Sequence, residues 1–420
     1  MILIKNVRTL DGEAINVYLE GSTISRITPV EVVDSFDGTV LDGAGKFITT
    51  PFWNMHTHAG MTLLRGYGEG TKLMDWLENY IWPAESNLTE DLVYHGTKLA
   101  CLEMIKSGTV GFMDMYWHPK GAAKAVDEMG IRAVIGAVVF DNCDPTLVKS
   151  CQERVLEEIE SIRGFNSGRI KPSVAPHAIY TVSSTLLQWA YQLADGTMPY
   201  HIHLSETEFE VNQCLENHGM RPTEYLESLG VLGNNTYAAH SCCLSSNEIE
   251  IYAKHGVKAV TNPVSNLKLA SGKICPIVDL QTSGVEVFIG TDGCSSNNNL
   301  DLFEEMKFTA LLQKHSCVDP TVLSPKEVLN MASKQPAKAM GLDYGVEVGC
   351  VADLMLLDFN VPAGVPFTDL ASNLVYSLNG SIVDSLICDG KIVMRNRQIP
   401  NEKQILKNAQ DAADKILKLK

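Results

Sequence analysis

From about residue 49 the chain alternates short apolar runs with longer stretches whose apolar positions recur every three to four residues. The runs 49–58, 109–115, 131–139, 170–177, 199–204, 235–240, 257–262 and 284–292 read as strands bounded by turn residues. The intervening stretches 90–107, 147–162, 184–194, 208–219 and 246–255 carry the helical period. Eight strand-then-helix units over roughly 250–300 residues predict a closed (β/α)8 barrel of the TIM type, with its site at the C-terminal strand ends. The open doubly wound sheet is the alternative, but the first strand-to-helix turn lacks the Gly-x-Gly-x-x-Gly fingerprint.

Both chain ends have a different texture. Residues 1–48 are short alternating runs (2–7, 16–20, 23–27 and 40–47) broken by turns such as Gly21-Ser22 and Asp42-Gly43. That unit is too short to bury a core alone. Strand-like runs return at 349–358, 382–388 and 391–395. The two ends are therefore expected to join in a small discontinuous β-sandwich, with units at 1–48, 49–345 and 346–420. The last of these ends in a lysine-rich amphipathic helix over 402–420, expected to lie solvated.

Polar residues stand where the barrel strands end: His56 and His58, Asp114, His177, His203, His240, Asn262 and Asp292. Side chains two apart on a strand share a face, so His56 and His58 project side by side. With His203 and Asp292 they form a donor set suited to one divalent metal with an open position, Zn²⁺ first and Fe²⁺ as the alternative. Such a metal lowers the pKa of its water toward neutrality, which points to hydrolytic attack on an electrophilic carbon. Glu206, three residues beyond His203, can lean over the site and carry a proton. It also suits the start of the helix that follows. His240 is placed to polarise the attacking water or hold the tetrahedral centre, and Asp292 to take the water's proton. His201 shares a face with His203 one layer deeper and is expected to serve packing. His95, His218, His255 and His315 fall in helices or loops at the surface, while His118 follows strand two at the edge of the cleft. Asp114 suits a structural acceptor as readily as a site residue. No lysine stands at the C-terminal end of strand four, Lys171 being at its other end, which favours one metal over two.

Composition narrows the function classes. A net charge of −16 argues against a nucleic-acid partner. No apolar run approaches the roughly 20 residues that span a bilayer. The N-terminus alternates and turns polar at once, so it reads as a strand and not a signal peptide. Eleven cysteines without regular spacing or a Cys-x-x-Cys pair read as free thiols of a cytoplasmic protein. Cys242, Cys243 and Cys294 lie near the candidate site and are expected to pack.

These residues resemble the amidohydrolase superfamily, and within it the 5′-methylthioadenosine/S-adenosylhomocysteine deaminase group with its adenosine and 5′-deoxyadenosine deaminating relatives. The resemblance is carried by His56-Thr57-His58 with Met61-Thr62-Leu63-Leu64-Arg65-Gly66, and by Ile81-Trp82-Pro83-Ala84-Glu85. Further along it is carried by Ala175-Pro176-His177, His203-Leu204-Ser205-Glu206-Thr207, Asn262-Pro263-Val264-Ser265-Asn266 and Gly290-Thr291-Asp292-Gly293. It implies that Glu85 binds the ribose hydroxyls and His177 the nucleoside. It also implies that Glu206 protonates ring nitrogen 1 of adenine while carbon 6 is attacked, so that ammonia leaves and an inosine-type product remains. Two departures stand out. The usual Pro-Gly before the first motif is replaced by Pro51-Phe52-Trp53, a change expected at the lip of the site. Segment 136–140 lacks the arginine that relatives use for the carboxylate of S-adenosylhomocysteine, which puts adenosine, 5′-deoxyadenosine and methylthioadenosine ahead of it.

Two other readings compete. One keeps barrel and metal but takes guanine, a triazine or another heterocycle; Glu85 argues against it, since a free base has no ribose to bind. The other is a catalytically silent assembly module, against which stands the complete donor set. The exposed sheet and barrel helices also offer faces for a homo-oligomer.

Overall fold

In the computed structural model, which describes residues 1–32, 35–165 and 167–418, the eight expected strands form one parallel sheet in strict chain order. They are β1 (Phe52–Thr57), β2 (Thr109–Met115), β3 (Arg132–Val139), β4 (Ile170–Pro176), β5 (Tyr200–Leu204), β6 (Thr236–His240), β7 (Lys258–Thr261) and β8 (Val287–Ile289). Just past β8, the N–H groups of Thr291 and Asp292 donate to the His56 carbonyl of β1 at 3.1 and 2.9 Å, bringing the two edges together as a barrel. Every residue of β2 and β3 is buried. Helices cover the outer face and side chains fill the inside, so these strands read as near-continuous apolar runs.

The helices start where the sequence supplies caps. Thr89, Ser183 and Thr207 accept from Leu92, Leu186 and Glu210 N–H at the heads of Glu90–Lys106, Ser184–Ala194 and Glu208–His218. Ser245 and Glu248 form a reciprocal capping box at the head of Ser246–His255. No helix among the described residues is long and apolar enough to cross a membrane.

The two chain ends meet in one mixed sheet. Its order is Lys391–Met394, Val383–Cys388, Leu354–Leu357, Phe47–Thr49, Ile2–Thr9, Ala14–Glu20 and Thr23–Pro29. Thr39–Asp42 lies parallel beside Ile2–Thr9. The expected run 40–47 is thus two strands, split where Gly43 N–H turns back onto the Lys5 carbonyl at 2.7 Å. Ile4, Val17 and Leu19 from one end and Leu354, Leu356 and Ile387 from the other build a core that neither end could form alone.

A buried polar network ties this sheet to the barrel. Arg132 on β3 donates to both oxygens of Asp353, at 2.7 and 3.0 Å, and to Asp389 at 3.0 Å. Tyr344 donates to Asp353 at 2.7 Å and accepts from Trp53 Nε1 at 2.9 Å. Trp53 therefore belongs to the N-terminal end of β1, not to the lip of the site where the sequence placed it. Its indole lies against Gly111, where an added Cβ would come within 2.3 Å of the ring.

The C-terminal helix Glu402–Lys418 also departs from expectation. Ile405, Ala409, Ala412 and Ile416 are buried, and this face packs on Glu90–Lys106. Only the opposite, lysine-bearing side is solvated, the ordinary arrangement of an amphipathic surface helix.

Candidate active site

The C-terminal ends of the barrel strands converge on one cavity lined by His58, His177, His203, Glu206, His240 and Asp292. His56 sits immediately beneath, fully buried, its Nε2 without a hydrogen-bond partner. His56, His58 and His203 bring one donor atom each within 4.8 Å of one another, and so do His56, His240 and Asp292. His58 Nε2 lies 3.3 Å from His203 Nε2 and 3.1 Å from Asp292 Oδ1, and His56 Nε2 is 3.5 Å from the same oxygen. Lone-pair donors crowded this closely, one of them unpartnered in the core, suit a divalent cation.

Each imidazole is turned by a partner on its far nitrogen. His58 Nδ1 faces the Met115 carbonyl, and His203 Nδ1 faces the His177 carbonyl at 2.7 Å. His56 Nδ1 faces His201 Nε2 at 2.9 Å. His201 is thus not the packing residue expected from its depth on β5. The shared face was readable from the strand period; the contact with a strand 145 positions earlier was not.

Asp292 and His240 both hold left-handed backbone, with φ of 63° and 72°. Such conformations are uncommon outside glycine and cluster at functional sites. Asp292 Oδ2 accepts from Ser265 and Ser296 hydroxyls at 2.6 and 3.0 Å, and Oδ1 from Gly293 N–H at 2.8 Å. Burial opposes its charge, but His56 and His58 hold its pKa well below the usual carboxylate range. Burial pushes His56 down to about 3 and His240 to about 4, and leaves His203 well below the ordinary imidazole value. His58 is the exception: Asp292 overrides burial and raises it to about 9. His240 Nδ1 faces the Asn266 amide nitrogen at 3.0 Å, and its Nε2 lies 3.8 Å from Glu206 Oε2.

Glu206 lies in the loop between β5 and the helix Glu208–His218. Two residues of that loop are clamped from below: Ser205 and Glu206 N–H donate to the two oxygens of buried Glu210, at 3.0 and 2.8 Å. The carboxyl of Glu206 itself is left to face the cavity. Burial, followed by the charge of Asp292, pushes its pKa up to about 8, so it holds a proton at neutral pH.

Glu85 reaches the cavity from the insertion after β1. There the short helix Leu73–Trp76 passes through a π-helical turn, Leu77–Ile81, into the helix Trp82–Glu85. Glu85 Oε2 accepts from Trp117 Nε1 at 3.2 Å, while buried Oε1 has no hydrogen-bond partner. Burial raises this carboxyl, opposed by the nearby Tyr116 hydroxyl, which completes no hydrogen bond to it, and by the Trp117 donor. Leu73, Trp76, Trp82, Trp117 and Phe140 complete the wall, and no lysine or arginine lines the cavity among the described residues. Trp117 carried no signal of its own in the sequence, and Asn266 stood in a family motif without an assigned role. They act through Glu85 and His240, from other elements.

His177 Nδ1 pairs with Thr181 Oγ1 at 2.8 Å. That hydroxyl donates to the Ala178 carbonyl, so it accepts from the ring and leaves His177 Nε2 as an acceptor. The remaining candidates lie off the cavity. Asp114 accepts from Ala59 N–H at 2.7 Å, a structural bond. His118 Nε2 pairs with the Leu88 carbonyl at 3.1 Å and does not line the cleft. Lys171 points from the base of β4 to the Met340 carbonyl at 3.1 Å. Cys242, Cys243 and Cys294 are buried free thiols.

Comparison with known proteins agrees with this architecture. A 5′-deoxyadenosine deaminase of Methanoregula boonei is 46% identical over 381 residues, 90% of this chain and 86% of the relative. A 5-methylthioadenosine/S-adenosylhomocysteine deaminase of Thermococcus sibiricus is 43% identical over 400 residues, 94% of each chain. The solved structure of an adenosine deaminase from Xanthomonas campestris, with bound zinc, superposes with a TM-score of 0.92 at 31% identity and covers 99% of this chain and 98% of its own. The model of the amidohydrolase family matches residues 47–393, from the last strand before the barrel to the far edge of the mixed sheet. This chain belongs to the amidohydrolase family.

Proposed function

We propose that this protein hydrolyses the 6-amino group of adenine nucleosides, releasing ammonia and an inosine-type product. The observation that carries this reading is one cavity holding two differently prepared carboxyl groups. Glu206, its pKa raised by burial, faces the cavity beside the His/Asp cluster, and Glu85 keeps one buried oxygen without a hydrogen-bond partner. The relatives named as deaminases of such nucleosides support it.

His56, His58, His203 and Asp292 would hold one divalent metal, Zn²⁺ in preference to Fe²⁺. When bound, it supplies the Lewis acidity that makes a water nucleophilic at neutral pH. Glu206 gives its proton to ring nitrogen 1 as the water oxygen joins carbon 6. His240 donates from Nε2 to that oxygen as the carbon becomes tetrahedral. Asp292 takes a proton from the attacking water and passes it to the amino group. The bond between carbon 6 and nitrogen then breaks and ammonia leaves; nitrogen 1 keeps its proton, and the remaining proton of the attacking oxygen goes to Glu206, which leaves the product carbonyl and restores the protonated carboxyl.

Glu85 Oε1 accepts from the ribose hydroxyls, and His177 Nε2, a free acceptor, faces the nucleoside. The apolar wall without a cation favours adenosine, 5′-deoxyadenosine and 5′-methylthioadenosine over S-adenosylhomocysteine, whose charged tail would meet no partner.

The test is ammonia release by Zn²⁺-loaded protein from these four nucleosides and from guanine. Turnover of the first three is expected. Turnover of guanine alone would sink the nucleoside reading and favour another heterocycle. Glu85→Gln is expected to lower kcat/KM for the nucleosides about 10- to 100-fold, as for a lost hydrogen bond to a charged group. KM should carry most of the change, and unaltered KM would remove Glu85 from the ribose site.

A further inference from the structure

The three imidazoles of the cluster differ in what faces their outer nitrogens. A ring can offer its Nε2 lone pair inward only if its proton is on Nδ1. For His58 and His203 that proton meets a carbonyl, Met115 and His177 respectively, and a carbonyl only accepts. Their tautomers are settled by the backbone. His56 instead meets a second imidazole, His201 Nε2 at 2.9 Å, which can accept or donate.

The pair therefore has two states. In the first, His56 Nδ1–H donates to His201 Nε2, His56 Nε2 carries a lone pair, and the His201 proton is on Nδ1. In the second, His201 Nε2–H donates to His56 Nδ1, and the one proton of His56 is on Nε2, 3.5 Å from Asp292 Oδ1. His201 Nδ1 is buried without a partner in either state. The second state replaces an orphaned N–H by an orphaned lone pair and gives His56 a carboxylate to face, which suits the metal-free site. The first is the only one in which His56 can ligate. Passing from second to first removes one proton at His56 Nε2, moves the shared proton to His56, and adds one at His201 Nδ1, so the pair's total is unchanged.

We propose that His201 is a positioning residue that sets the tautomer of His56 and so the affinity of the site for its metal. This rests on the reading of the cluster as a metal site. His201 touches no substrate and acts only through His56.

The experiment measures Zn²⁺ affinity of the full chain, stripped and then titrated against a chromophoric chelator, with thermal unfolding as the check on folding. His201→Leu leaves His56 Nδ1–H without an acceptor and is expected to weaken Zn²⁺ binding about 10- to 100-fold, as for other partners behind a ligand. His201→Gln offers an amide oxygen in place of Nε2 and is expected to stay close to wild type. Should the leucine variant not fold, His201→Asn, too short to reach His56, takes its place with the same expected loss. Wild-type affinity in the leucine or asparagine variant, or equal weakening in the glutamine variant, overturns the inference. Absence of Zn²⁺ binding by the wild-type chain would instead overturn the metal-site reading itself.

Discussion

Glu206→Gln is expected to lower kcat for 5′-deoxyadenosine about 100- to 10,000-fold, the usual span for a lost general acid. Glutamine keeps the shape of the side chain but has no proton to give. The loop would hold its place, because Glu210 grips the backbone of Ser205 and Glu206 and not the Glu206 side chain. Bound Zn²⁺ should be unchanged, and KM nearly so. The pH profile carries the signature: burial and Asp292 raise the Glu206 pKa to about 8, so the wild-type rate should fall on the alkaline side. A cation in the site pulls that pKa down, so the limb is expected at or below about 8. Stability gives an opposite sign. A carboxyl raised above its unfolded value keeps its proton in the folded state while the unfolded chain loses it, so its contribution to stability falls as pH rises from 4.5 toward 8. Metal-free Glu206→Gln should therefore melt above metal-free wild type, by a margin that widens over that window. A variant with the wild-type rate would end the proposed role.

Asp292→Asn is expected to cost Zn²⁺ and activity together. Several kcal/mol of electrostatic stabilisation at the reacting centre are lost with the metal, about 1,000-fold or more in kcat/KM. Asparagine fits the volume, and Ser265 and Ser296 can still donate to its single oxygen. What goes is the charge beside His56 and His58, whose nitrogens lie 3.5 and 3.1 Å from Oδ1. The control is wild type stripped by a chelator, which should lose the same activity and regain it with Zn²⁺, while the variant regains little. Full metal content and full rate in Asp292→Asn would place the metal on other donors, such as the His56 and His240 pair.

Much of this fold and site is legible in the chain itself. The eight strands follow from local runs of apolar residues, and a strand's place within the barrel follows from strict chain order. His56 and His58 share a face because side chains alternate, and Asp292 and His240 end their strands in any barrel built from those runs. Sequence thus determined the barrel, the converging polar ends and the donor types they offer.

What tertiary structure decided lies one contact further out. Trp53 reads as a lip residue and belongs to the base, because its indole finds Tyr344 on a segment 291 positions away. The terminal helix reads as solvated, yet its apolar stripe closes on Glu90–Lys106. His201 reads as packing, Asn266 stands in a family motif without a role, and Trp117 and Glu210 carry no mark along the chain. Each acts on a group from another element, orienting a ring, a carboxyl or a loop. Period and turn chemistry are properties of neighbours in sequence, so they can be read along the chain. Which nitrogen of His56 keeps its proton depends on a side chain on a strand across the barrel, and only the closed fold brings the two together.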